Sequence, residues 1–307
     1  MSIKFPSFLP DVVCPYCLKP LKNKDLKMVC NVCGEDVIPN KIEFFFKKVP
    51  KCSKSGCSGE GTDLRCRNCN SSLPHDILLY NAYIRFSILG VTGCGKTNFL
   101  TTMLYELKNS DSPWVPSYMD EQTRISYEEN VRCIYKDKTP PPPNPPGEAP
   151  MPQLWRIKNK LKKINNTIPA YSLTIFDGAG EDVVHANELD SISRYIKDSK
   201  SLVILIDPLS LPHVAENINE DIRLWSTTAD HAEGASATMI DSLANYIRRS
   251  CGYDSRKLIN RDVAIVFTKI DVVKDDFAEA TVMQPSPHIK QKAFVQADAD
   301  AVIGNAL

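Results

Sequence analysis

No uninterrupted apolar stretch in this 307-residue chain approaches the ~20 residues a bilayer-spanning helix needs, so no membrane span is expected. The first residues, MSIKFPSFLPDVVCPYC, lack the apolar core of a secretion signal: Pro6 and Pro10 interrupt it and Asp11 follows. Excess charge is missing too. The 37 Lys and Arg balance 37 Asp and Glu, leaving no global field to draw nucleic acid or an anionic membrane. Only residues 1–80 lean basic, with twelve Lys and Arg against eight Asp and Glu. Length and composition therefore predict a soluble cytoplasmic protein with two folded units.

What the chain has is cysteine, unevenly spread. Eight of the eleven fall in residues 14–69, and the others are Cys94, Cys133 and Cys251. Without a secretion signal, reduced thiols holding metal are a better reading than disulfides. Cys14-Pro-Tyr-Cys17 and Cys30-Asn-Val-Cys33 are C-x-x-C knuckles, each aiming two sulfurs at one centre. Cys52, Cys57, Cys66 and Cys69 make a second set whose first pair is looser. Taken in chain order, they predict two Cys₄ zinc ribbons in series: Cys14/Cys17/Cys30/Cys33, then Cys52/Cys57/Cys66/Cys69. Four thiolates per ion leave no open coordination position, so both Zn²⁺ sites read as structural, each carrying a charge of about −2. Metal supplies the stability that so short a segment cannot draw from its own core. His75 reads as a linker residue and not as a ligand. The stretch KIEFFFKKVPK (Lys41–Lys51) mixes basic and aromatic residues as a single-strand nucleic-acid binder does. A hairpin strand with Phe45 in a small core accounts for it better, which leaves nucleic acid compatible but disfavoured beside a protein contact.

From residue 81 onward strand and helix patterns alternate, as in an α/β nucleotide-binding sheet. Strands are predicted near 84–89, 154–159, 171–176, 201–206 and 262–267. Helices are predicted near 96–108, 119–136, 185–198, 235–250 and 290–305. The segment FSILGVTGCGKTNFL sets G-x-x-x-x-G-K-T between the first strand and the first helix, the context a P-loop requires. Gly90, Gly93, Cys94, Gly95 and Asn98 belong to the phosphate cradle; Lys96 reaches the β- and γ-phosphates and Thr97 ligates Mg²⁺. The proline run KTPPPPNPPGEAPMP can be neither helix nor central strand. It reads as a semi-rigid loop over the nucleotide, with a polyproline ligand for a partner domain as the alternative. The next two strands are separated by about a dozen residues with no helical apolar stripe, which predicts an antiparallel hairpin.

The third strand, YSLTIF, runs into Asp177-Gly178-Ala179-Gly180. In a D-x-x-G motif Asp177 holds Mg²⁺ through water and the Gly180 N–H senses the γ-phosphate. LVILID also ends in an acid, Asp207, in the manner of an ATPase Walker B strand. VAIVFTKID is a buried-type strand ending in Thr268-Lys269-Ile270-Asp271. An Asp271 carboxylate accepts hydrogen bonds from guanine N1–H and the 2-amino group, and adenine offers neither donor. The Lys269 stem would lie along the base.

Through these three motifs residues 84–307 resemble a TRAFAC-class GTPase domain. With the zinc ribbons in front, the chain resembles bacterial double-GTPase-like proteins of conflict systems. The resemblance implies a P-loop NTPase sheet of α/β class with one antiparallel strand, preceded by two small Cys₄ modules. The domains would be a tandem zinc-ribbon region over 1–80 and a GTPase-like domain over 81–307. It also implies Mg²⁺ as cofactor, GTP and GDP as ligands, and GTP hydrolysis as the activity. Three departures stand out. Thr268 replaces the Asn of N-K-x-D. Glu181 occupies the place of the water-orienting Gln, which predicts slow basal hydrolysis accelerated by a protein partner or by self-association. Thr139, with Thr167 as alternative, is the candidate to close the Mg²⁺ shell, giving Lys96, Thr139 and Glu181 as the catalytic set. His185 reads as a helix residue. The pattern also ends inside a helix without a sixth strand, so either the chain is cut short or another chain covers the open edge. The rival expectations are a non-hydrolysing GTP-sensing scaffold and a nucleic-acid-binding P-loop ATPase.

Overall fold

A computed structural model describes residues 12–37, 49–77, 82–91, 93–142, 151–160, 170–177, 195–211, 214, 216, 218, 235–252 and 261–273. The chain divides into two compact units: Met1–Arg85, Met103–Asp137 and Met151–Ile175 form one, and Phe86–Thr102, Lys138–Pro150 and Phe176–Leu307 form the other.

Strands β1 (Leu26–Cys30), β2 (Asp36–Val37) and β3 (Gly61–Cys66) make a small sheet of order β2-β1-β3. Both pairings are antiparallel, and the β1–β3 ladder runs from Leu26 opposite Cys66 to Cys30 opposite Gly61. Period-2 alternation in β1 sends Leu26, Met28 and Cys30 inward. They join Leu21, Val37, Leu64, Leu73 and Ile77 in one core, with Met119 packed against it.

The larger sheet has six strands: β4 (Ala82–Leu89), β5 (Trp114–Tyr118), β6 (Gln153–Asn159), β7 (Ala170–Asp177), β8 (Ser201–Ile206) and β9 (Asp262–Phe267). Their order is β5-β6-β7-β4-β8-β9. β4, β8 and β9 are mutually parallel, whereas β5–β6 and β6–β7 are antiparallel. The α/β class and the five predicted strands hold, as does the antiparallel hairpin of β6 and β7, in which Gln153 faces Ile175 and Lys158 faces Ala170.

Three features depart from expectation. β5 was not anticipated, because WVPSY carries a proline; Pro116 is tolerated since β5 is an edge strand among the described residues. The helix expected over 119–136 is α-helical only as α2 (Glu121–Val131) and continues as a π-helical turn over Arg132–Asp137. β9, expected to be buried, is the outermost strand on the other side among the described residues, and Val263 and Ile265 are 49% and 48% exposed. Other helices among the described residues include α1 (Lys96–Asn109), α3 (Ala235–Cys251) and the single turn α4 (Ile270–Val273). The expected helix over 290–305 and most of that over 185–198 lie outside the described residues.

In the first unit an aromatic cluster fixes α2 to the antiparallel β5–β6 pair. Asp120 caps α2 by accepting from Thr123 N at 2.7 Å, and Thr123 Oγ1 accepts from Leu154 N at 2.9 Å. Trp155 is fully buried, edge-on to Tyr127 at 4.9 Å and tilted against Tyr118 at 5.3 Å. The small sheet is tied to the same pair of strands by Met119 and by an Arg156–Asp76 ion pair at 3.4 Å. Trp155→Ala should cost about 3–5 kcal/mol by urea unfolding, and Trp155→Phe clearly less. Equal losses would show that ring volume is not what Trp155 contributes.

Candidate functional sites

Each cysteine pair sits in a hairpin turn, and three of the four turns are built alike. The first cysteine's N–H donates to the carbonyl five residues on (Cys14 to Lys19, Cys30 to Glu35, Cys66 to Ser71). Its own carbonyl accepts from the residue four on: Leu18, Gly34 and Asn70. Those three residues have φ of 59°, 71° and 61°, the left-handed step that closes a knuckle. The Cys52–Cys57 turn is wider, with Cys52 N donating to Gly59 O, which explains its looser spacing.

The eight sulfurs gather into two groups of four: Cys14/Cys17/Cys66/Cys69 and Cys30/Cys33/Cys52/Cys57, each with ligand atoms within 4.8 Å of one another. This corrects the serial pairing expected from chain order. The reason is the β1–β3 ladder: Cys30 ends β1 opposite Gly61, while Cys66 lies at the other end opposite Leu26. The first and last knuckles therefore meet at one end of the ladder and the middle two at the other. The sites are nested, and share one core instead of forming two ribbons in series.

Geometry and chemistry both suit zinc. Sulfurs about 2.3 Å from a tetrahedral ion stand about 3.8 Å apart. Here Cys14–Cys69 is 3.7 Å, Cys17–Cys66 3.9 Å, Cys30–Cys57 3.7 Å and Cys33–Cys52 3.6 Å. Those gaps are nearly twice a disulfide bond. Burial pushes the Cys14 thiol up, whereas the backbone N–H groups of Cys33 and Val32 hold Cys30 down to about 6. Gly59 has no room for a side chain: a Cβ there would stand 2.4 Å from Cys30 Sγ. His75 is exposed and bonds Thr62 O at 2.7 Å, away from both sulfur groups.

A second constellation lies in the second unit, where parallel β4, β8 and β9 end on one edge of the sheet. After β4 the chain turns through Gly93 and Gly95, with φ of 75° and 87°, into α1. Lys96 Nζ folds back to donate to Gly90 O at 2.8 Å and Val91 O at 3.1 Å. Gly90 lets this turn approach β8: a Cβ would meet Cys94 Sγ at 2.5 Å and Leu205 O at 2.8 Å. Thr97 stands in the first turn of α1 and Asn98 beside it is exposed.

After β9, Thr268 N donates to Ile206 O at 2.9 Å, and Lys269 adopts a left-handed φ of 50°. Lys269 Nζ reaches Asp207 Oδ2 at 2.7 Å, while Asp207 Oδ1 accepts from Leu209 N at 3.0 Å. Asp207 is fully buried. Asp271 is exposed in α4, whose Val272 N bonds Lys269 O at 3.0 Å. Cys94 registers how close these charges are: burial pushes its thiol up, Lys96 and Lys269 pull it down, and Asp207 raises it.

Asp177 closes β7, the strand beside β4. Gly180, Glu181, Thr167 and His185 lie outside the described residues, as does Phe45. Thr139 is exposed in the segment after the π-helical turn. The sequence reading missed the Asp207–Lys269 pair; the signal available was an acid ending one parallel strand and a lysine just past the end of the next.

Two outcomes test these arrangements. The double variant Cys17→Ser/Cys66→Ser damages only one nested site and should retain about one zinc per chain by metal analysis; serial pairing would leave none intact. Because Cys94 is buried and its thiol raised, its peptide should stay unalkylated by iodoacetamide at pH 8 in the folded protein and react after unfolding. Labelling of the folded protein at the unfolded rate would contradict that burial.

The chain matches no protein-family model, and no curated protein shows significant similarity to it.

Proposed function

We propose that this protein is a Mg²⁺-dependent GTP-binding and hydrolysing switch of the cytoplasm, whose zinc-bound module serves as an adaptor for a protein partner. The observation that carries the reading is the shared sheet edge. Parallel β4, β8 and β9 deliver Gly90–Thr97, Asp207 and Thr268–Asp271 to the carboxyl ends of neighbouring strands, where open α/β sheets bind ligands. The Gly90–Thr97 segment joins a strand to a helix N-terminus, as a phosphate-binding loop must. Lys96, folded onto two backbone carbonyls, would exchange them for phosphate oxygens. Asp177, at the end of the strand beside β4, would hold Mg²⁺ with Thr97, and Asp271 would accept from guanine N1–H and the 2-amino group.

The adaptor role draws on two closed sulfur sets, neither offering the open position that catalytic zinc requires. Zinc binding to these cysteines would supply folding stability to the module. Mg²⁺ on the phosphates would neutralise charge as the γ-phosphoryl group departs.

With magnesium present, the wild type should bind GTP at least ~100-fold more tightly than ATP. Lys96→Ala should lose GTP binding, and Asp271→Asn should shift preference toward xanthosine triphosphate. Equal GTP and ATP affinity, or selectivity unchanged in Asp271→Asn, would refute the base-reading assignment. Multiple-turnover phosphate release then distinguishes the hydrolysing switch from a GTP-sensing scaffold, which would release none even with partner present.

A further inference from the structure

We propose that Asp207 is a positioning residue for guanine recognition, acting through Lys269 and not through magnesium; this rests on the GTP reading above. Asp271 is exposed, so packing of its own side chain does not hold it where a base would be read. Its placement comes from the turn before it. That turn is anchored to the end of β8 by three hydrogen bonds: Thr268 N and Oγ1 donate to Ile206 O at 2.9 and 3.3 Å, and Lys269 Nζ donates to Asp207 Oδ2 at 2.7 Å. Between them the backbone takes a left-handed step at Lys269, a conformation non-glycine residues hold only when their surroundings impose it. The next hydrogen bond, Val272 N to Lys269 O, starts the helical turn that carries Asp271. Asp207 is itself locked, fully buried and accepting from Leu209 N through its other oxygen.

The chain of support therefore runs from the rigid end of β8 to Asp207, to Lys269, to Asp271. Losing the Asp207 charge would free the Lys269 ammonium and let the turn relax. The Asp271 carboxylate would then drift from the two donors on the guanine edge. The phosphate-binding segment has its own supports in Gly90 and the start of α1, and would be little affected.

The experiment compares wild type, Asp207→Asn and Asp207→Glu for binding of GTP, ITP and inorganic tripolyphosphate with magnesium, with folding checked by circular dichroism. ITP lacks the 2-amino group, so the GTP-to-ITP affinity ratio reports Asp271 placement. Asp207→Asn should lower GTP affinity about tenfold or more, the scale of one charge-assisted hydrogen bond, and bring the ratio toward one. Tripolyphosphate affinity should not fall, since no hydrogen bond to phosphate is removed and a negative charge near the segment is lost. If the asparagine variant does not fold, Asp207→Glu keeps the buried charge but displaces Lys269, and should lower the ratio in a folded protein. An unchanged ratio in a folded variant overturns the proposal. Equal loss of GTP and tripolyphosphate also overturns it, in favour of Asp207 as a magnesium ligand. A wild type that does not prefer GTP to ITP and ATP defeats the underlying GTP reading instead, and is recognised before any variant is made.

Discussion

The parallel register of β4, β8 and β9 is the constraint on which the candidate nucleotide site depends. Phe86 lies opposite Ser201 and Ser201 opposite Asp262, so the three strands end almost level. Each is followed by a turn of different chemistry: a glycine-bearing segment opening a helix, a buried acid, and a lysine in a left-handed step. Parallel strands require long crossovers, which is why these turns lie far apart in sequence yet side by side in the sheet. A slip of one residue between β8 and β9 would break the Thr268–Ile206 hydrogen bond and carry Lys269 out of register with Asp207.

A second ladder plays the corresponding role in the first unit. β1 and β3 each carry a ligand at one end, so a single antiparallel pairing sets both cysteine groups. The loop between Cys33 and Cys52 closes within the larger loop from Cys17 to Cys66, and both draw on one hydrophobic core. Closing the inner loop shortens the free chain that the outer group must span, which lowers its entropic cost. Nested sites on one ladder favour folding as a unit, which two serial ribbons would not require.

How much of this could be read in the sequence depended on whether a feature was local. The C-x-x-C knuckles, the strand–glycine–helix segment and the five apolar strands are each written within a few neighbouring residues, and all appear where periodicity and spacing put them. The partition of the cysteines was not legible, because it follows from the pairing of strands more than thirty residues apart. β5 was hidden by Pro116, whose cost disappears at a sheet edge. β9 was misjudged because VAIVF is as apolar as a central strand, and its place in the sheet order, not its composition, exposes Val263 and Ile265. The Asp207–Lys269 pair depended on knowing that β8 and β9 are neighbours.

That pair is also uneconomical on stability grounds alone. Removing a carboxylate and an ammonium from water costs several kcal/mol per ion, and a well-packed apolar pair can often replace a buried salt bridge without loss. Asp207 is fully buried, whereas the Lys269 side chain stays 30% exposed, so the desolvation falls chiefly on the acid. Lys269 adds a left-handed backbone step, which is unfavourable for a non-glycine residue. Two unfavourable choices at adjoining positions are hard to account for as packing. They become intelligible if the turn after β9 has to be held in one conformation, because a bidentate readout of a base fails when its carboxylate shifts by an ångström. The charge pair then supplies conformational definition to a turn whose base-facing residue, Asp271, is itself exposed.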